Sequence, residues 1–140
     1  MPTIVVSNQK GGVGKTTTCI NLAAELGRCD YSVLAVDMDP QANCTSGLGV
    51  NASTLSKSLY NVLLGDIPIR EAILSTAWKG ISLLPSSLDL AGAEIELASA
   101  ISRESKLKRQ LEQLEGFDVV LIDCPPSLGI LTLNALTKST

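Results

Sequence analysis

Residues 3–17 read TIVVSNQKGGVGKTT, and the order of elements in this stretch decides the fold. The β-branched run Thr3 to Ser7 predicts a short buried strand. A glycine-rich turn follows, Gly11-Gly12-Val13-Gly14. From Lys15 to Arg28 the apolar residues Cys19, Ile20, Leu22, Ala23 and Leu26 then recur at helical spacing. A strand that runs through a glycine turn into a helix makes an anion site. The first helical N–H groups lack intrahelical partners, the helix dipole is positive there, and glycines let consecutive N–H groups converge.

A tight turn alone needs neither Lys10 before the glycines nor Lys15 and a Thr pair after them. Lys10, Gly11, Gly12, Val13, Gly14, Lys15, Thr16 and Thr17 are therefore the candidate phosphate-binding set. In such a loop Lys15 reaches the β- and γ-phosphates of a nucleotide, and the Thr16 hydroxyl ligates Mg²⁺. Gln9 stands where the usual G-x-x-x-x-G-K-[ST] pattern has its first glycine, while Lys10 adds a second cation. Spacing leaves open whether Lys10 serves its own phosphates or those of a neighbouring subunit.

Outward from this loop, strands alternate with helices. Ser32 to Val36 predicts a second strand, ending in Asp37-Met38-Asp39-Pro40, and a polar loop runs to about residue 53. Helical stretches are expected near 54–64 and 69–76, and Ile81 to Leu84 as a third strand. Leu90, Leu97 and Ile101 mark one helix, and Leu107, Leu111 and Leu114 another. Phe117 to Asp123 (FDVVLID) is the clearest later strand, followed by a helix from about Leu128. Nearly all-apolar strands between helices predict an α/β fold with a mostly parallel sheet covered on both faces, in one domain over 1–140.

Composition narrows the function classes. With 45% hydrophobic and 18% charged residues the chain suits a buried core and not disorder. A net charge of −3 argues against an all-over nucleic-acid coat, the local exception being Arg103, Lys106, Lys108 and Arg109. That cluster reads as a solvated helix face. Cys19, Cys29, Cys44 and Cys124 form no C-x-x-C pair, and there is no histidine, so free thiols in a reducing cytosol are expected. No apolar run approaches the roughly 20 residues of a membrane span, and a soluble cytoplasmic protein without membrane contact is expected.

A magnesium nucleotide site takes carboxylates from the carboxyl ends of neighbouring strands. Asp123 ends the apolar run VVLID, as a Walker B aspartate does. Asp37 and Asp39 end the second strand, where alternation places both on one side. Of these two, one can assist Mg²⁺ while the other orients an attacking water. Aspartates at strand ends also form turns, and that reading stands beside the chemical one.

The motifs N-Q-K-G-G-V-G-K-T-T (8–17), D-M-D-P-Q-A-N (37–43) and I-D-C-P-P-S-L-G (122–129) resemble the ParA/Soj family of chromosome- and plasmid-partition ATPases. That family lies in the MinD-type group with a deviant Walker A motif, and L-A-G-A-E-I-E-L (90–97) and I-S-R-E-S-K-L-K-R (101–109) match it too. The resemblance implies a three-layer P-loop NTPase fold that binds and hydrolyses ATP with Mg²⁺. Lys10 matches the signature lysine that crosses an ATP-sandwich homodimer, and Gly11 the small residue at that contact. Lys15 and Thr16 match the phosphate lysine and metal ligand, Asp39 the aspartate that positions water, and Asp123 the Walker B residue.

The resemblance also implies partners, namely a second copy, a ParB-type activator and DNA bound without sequence preference. Family members continue well past the position equivalent to Thr140. The chain is thus expected to be an amino-terminal portion, truncated after the fourth main strand and its following helix. The first strand is then expected at an apolar sheet edge, an association hazard. Two other readings stand beside the switch: a non-enzymatic nucleotide-binding fragment and a MinD-like positioning ATPase.

Overall fold

Two strands buried at every position set the architecture. They are β2 (Val33–Asp37) and β5 (Val119–Asp123), which pair in parallel. Val33 and Ala35 pack with Val119 and Leu121 on one face, and Leu34 and Val36 with Val120 and Ile122 on the other. Side chains that alternate between two apolar layers need helices on both sides. The computed structural model supplies them, and it describes residues 2–6, 15–39, 41–64, 67–88 and 101–123.

One layer comes from α1 (Lys15–Arg28) and α2 (Asn43–Gly47), which bring Cys19, Ala23 and Cys44 onto the Val33 face. The other comes from α3 (Leu59–Leu64), α4 (Ile69–Ala72) and α5 (Ile101–Gln113). Leu107, Leu111 and Leu114 are buried there, the i, i+4, i+7 stripe of a sheet-facing helix and the residue that follows it. The remaining strands are β1 (Thr3–Val6), β3 (Leu74–Ser75) and β4 (Ile81–Leu84). Among the described residues the sheet order is β1-β5-β2-β4-β3, parallel except where β3 meets β4. This is the expected three-layer α/β fold with a mostly parallel sheet. Among the described residues β1 lies at the sheet edge, with Ile4 40% exposed.

Four expectations need correction. The polar loop to residue 53 contains α2 and a 3₁₀ turn at Ala52–Thr54, the latter capped by Asn51, whose carboxamide oxygen accepts from the Ser53 N–H. The helix expected from residue 54 starts at Leu59, because Ser58 caps it and accepts from the Tyr60 N–H. The helix expected over 69–76 stops at Ala72. Leu74 and Ser75 instead pair with Leu83 and Ser82, and the Thr76 hydroxyl donates to the Ile81 carbonyl to close the turn. Tertiary pairing outweighs the local helical pattern there. Ile101 opens α5 and does not close an earlier helix. The helix expected through Leu90 and Leu97, and that from Leu128, fall outside the described residues.

At the end of the sheet remote from the strand carboxyl ends, α1 lies unusually close to the turn before β4. A Cβ at Gly27 would stand 2.1 Å from the Lys79 carbonyl oxygen. Gly80 holds φ at +76°, a left-handed conformation that only glycine adopts cheaply. This contact seats α1 on the sheet and so fixes where its amino terminus lies.

Candidate functional site

The parallel order brings the carboxyl ends of β1, β5 and β2 side by side. Val6 pairs with Asp123, and Asp123 pairs in turn with Asp37. Residues 7–14, which include Lys10, Gly11, Gly12, Val13 and Gly14, leave β1 at this end but lie outside the described residues. Lys15, Thr16 and Thr17 form the first turn of α1, with Thr17 exposed. The positive end of α1 and the acidic ends of β2 and β5 therefore belong to one edge of the sheet, where open α/β folds bind ligands.

Asp37 is fully buried, and both its oxygens are engaged. Oδ1 accepts from the Asp39 N–H at 3.0 Å. Oδ2 accepts from the Thr45 N–H at 2.8 Å and the Thr45 hydroxyl at 2.7 Å. Burial pushes the Asp37 carboxyl up to about 6; the Thr45 and Asp39 hydrogen bonds oppose that rise, and nearby Asp123 adds to it. Asp37 thus clamps the loop leaving β2 to α2, and a cation here competes with three protein donors.

Asp39 sits two residues on, 8% exposed. Its Oδ1 accepts from the Gln41 N–H at 3.0 Å and its Oδ2 from the Asn43 amide at 2.9 Å. Its carbonyl accepts from the Ala42 N–H at 2.8 Å and from the Ser86 hydroxyl. Ala42 holds a left-handed φ of 57°, which costs a non-glycine residue about 1–2 kcal/mol. That turn carries the Gln41 and Asn43 donors that hold the carboxylate. Asp123 is fully buried, and its carbonyl accepts from the Met38 N–H at 3.0 Å, tying the two strand ends together.

Among the described residues no three Asp, Glu, Cys or His side chains gather in metal-holding geometry. Asp37 and Asp123, register partners at adjacent strand ends, are hard oxygen donors of the kind Mg²⁺ takes one or two at a time beside phosphate and water. Cys19 and Cys44 are buried together beneath the site, and neither is in a disulfide. A hydrogen bond with Cys19, then burial, push the Cys44 thiol up, so it stays protonated and inert. A cavity of about 450 Å³ beside Gln41 and Ala42 is lined, among the described residues, by uncharged ones such as Ser46, Asn51 and Leu88.

Sequence reasoning singled out Asp37, Asp39 and Asp123, and the fold brings them to one edge. It missed Thr45 and Ser86, whose only signal is a hydroxyl in a polar stretch. Asn43 lay inside a quoted motif without an assigned role. Of the basic cluster, Arg109 is exposed and Lys108 half-buried, while the side chains of Arg103 and Lys106 are not described.

The chain matches the AAA domain family over residues 1–140. It is 50% identical over 137 residues to the sporulation initiation inhibitor protein Soj of Bacillus subtilis, covering 97% of this chain and 54% of that protein. Identity to the chromosome partitioning protein ParA of Myxococcus xanthus is also 50% over 137 residues, covering 97% and 48%. A solved structure, named cobyrinic acid a,c-diamide synthase from Mycobacterium smegmatis with bound ATP analog and magnesium, superposes with a TM-score of 0.88. It is 50% identical, over 97% of this chain and 56% of that one. The chain thus spans about half the length of the curated relatives it matches.

Proposed function

Because the chain belongs to the AAA domain family, in its ParA/Soj branch of partition ATPases, we propose that it binds Mg-ATP on residues 10–17 and hydrolyses it as a partition switch. One observation carries this reading. Asp37, Asp39 and Asp123 reach the same sheet edge as the first turn of α1, and Asp39 is held there by bonds at its N–H, its carbonyl and both carboxylate oxygens.

In the proposed reaction the loop amides, Lys10 and Lys15 hold the phosphates against the start of α1. Thr16 and Asp123 are the residues that would hold Mg²⁺, which when bound neutralises charge on the β- and γ-phosphates. Asp37, the third metal candidate, has both oxygens held by Asp39 and Thr45, and so assists at that edge by positioning the loop after β2. Asp39 orients a water for in-line attack at the γ-phosphorus. The new P–O bond forms as the bond to the β-phosphate oxygen breaks, giving ADP and inorganic phosphate. Most of the acceleration in such transfers comes from position and charge, which fits a buried, multiply bonded aspartate.

The whole-protein roles belong to the same proposal. ATP closes a homodimer across Lys10 and Gly11, a ParB-type partner stimulates hydrolysis, and the closed form holds DNA without sequence preference. Among the described residues no helix is long and apolar enough to cross a membrane; a cytoplasmic site of action is part of this reading. The Mycobacterium name points to a different use of an ATP site, but the motifs at 37–43 and 122–129 favour the partition branch.

Phosphate release from Mg-ATP, measured beside Asp39→Ala and Lys10→Ala, tests the switch. The reading expects Asp39→Ala to bind nucleotide without turnover, and Lys10→Ala to lose ATP-dependent dimerisation. Nucleotide binding with no Asp39-dependent release would leave the non-enzymatic binding module as the correct account.

A further inference from the structure

The bonds around Asp39 close into a ring. The Asp39 N–H donates to Asp37 Oδ1 at 3.0 Å, and Asp37 Oδ2 accepts from the Thr45 hydroxyl at 2.7 Å. Thr45 Oγ1 accepts from the Ser86 N–H at 3.0 Å, and the Ser86 hydroxyl returns to the Asp39 carbonyl. The ring joins three separate elements: the end of β2, the middle of α2 and the segment after β4. Asp37, Thr45 and Ser86 are fully buried and Asp39 nearly so, so water does not compete for these bonds.

We propose that Thr45 is a positioning residue for hydrolysis, setting the place of the Asp39 carboxylate through this ring; the inference rests on Asp39 orienting the attacking water. Thr45 is the only member whose side-chain oxygen both donates and accepts within the ring, which makes it the link between Asp37 and Ser86. Its own N–H also donates to Asp37 at 2.8 Å, so α2 and the end of β2 move as one body. Ser86 then fixes the Asp39 peptide from the far side. With both ends of the Asp39 peptide held, its carboxylate has only its side-chain torsions left, and Gln41 and Asn43 fix those. A displacement of the order of 1 Å in such a group costs about 100-fold in rate.

Thr45→Val keeps the side-chain shape and removes the hydroxyl, whereas Thr45→Ser keeps the hydroxyl. Steady-state hydrolysis of Mg-ATP by both, beside wild type and Asp39→Ala, separates position from packing. The expected result is a kcat for Thr45→Val lower by about 10- to 100-fold with KM for ATP unchanged, and recovery in Thr45→Ser. Should Thr45→Val fail to fold, Ser86→Ala opens the ring at the Asp39 carbonyl and carries the same expectation. A folded Thr45→Val or Ser86→Ala with wild-type kcat overturns the inference, as does a Thr45→Ser as slow as Thr45→Val. A wild-type chain whose hydrolysis does not depend on Asp39 overturns the hydrolytic reading itself, and this inference with it.

Discussion

Asp37 and Asp123 are register partners on adjacent parallel strands, and both are fully buried. Two carboxyl groups so placed cannot both carry charge cheaply without compensation. Burial, more than the neighbouring Asp123, makes Asp37 titrate high, while its three internal donors keep it pointed at the loop after β2.

A pH dependence of stability follows. The Asp37 carboxyl is raised from 3.8 to about 6 in the folded state. Between those values the folded chain binds more protons than the unfolded one, so stability falls as pH rises. The contribution is fully present below pH 3.8 and lost above about 6. A shift of this size is worth about 3 kcal/mol. Carboxyl ¹³C NMR without metal should show Asp37 titrating near 6, and titration near 4 would remove this contribution.

Gly27 carries a steric prediction. Gly27→Ala places a methyl 2.1 Å from the Lys79 carbonyl oxygen, so α1 must shift or β4 must yield. The expected loss is about 1–3 kcal/mol in denaturant titration. Gly49→Ala is the contrast, since nothing lies within 4 Å and only the φ of +86° opposes it. That variant should lose about 1–2 kcal/mol from backbone strain alone. Equal midpoints for Gly27→Ala and wild type would mean the close approach is not real.

Ile4 tests the edge strand. It is 40% exposed on β1, the end of the sheet among the described residues. Ile4→Lys should reduce concentration-dependent light scattering while moving the unfolding midpoint by less than about 0.5 kcal/mol. Unchanged scattering would show that β1 does not drive association.

Thiol labelling checks burial directly. Of the described cysteines only Cys29 is exposed, while Cys19 and Cys44 are 1% exposed each. A maleimide should modify Cys29 in the native chain within minutes and spare Cys19 and Cys44 until denaturant is added. Native labelling of Cys44 would contradict the packing of α2 on α1.

Much of this was legible in the sequence because it follows from short-range physics. The extent of α1 follows from helical periodicity after the glycine turn, and β2 and β5 were visible as nearly all-apolar runs, although which face each of their residues takes emerged only from the packing. The three aspartates were visible because strand ends are visible. β3 was not, since Leu74 and Ser75 gain strand character only from β4 beside them. Nor were Thr45 and Ser86, 41 residues apart, whose roles exist only once β2, α2 and β4 meet. Ile101 was misassigned because an apolar residue at a helix boundary fits the stripe on either side.

Thermal unfolding with and without Mg-ATP, for wild type and Lys15→Ala, tests most directly whether residues 10–17 hold a polyphosphate. At ligand 100 times its Kd the wild-type chain should gain about 2.7 kcal/mol, and Lys15→Ala should gain little or nothing. A wild-type midpoint that does not move, or a Lys15→Ala chain stabilised as strongly as wild type, would contradict the assignment of that loop.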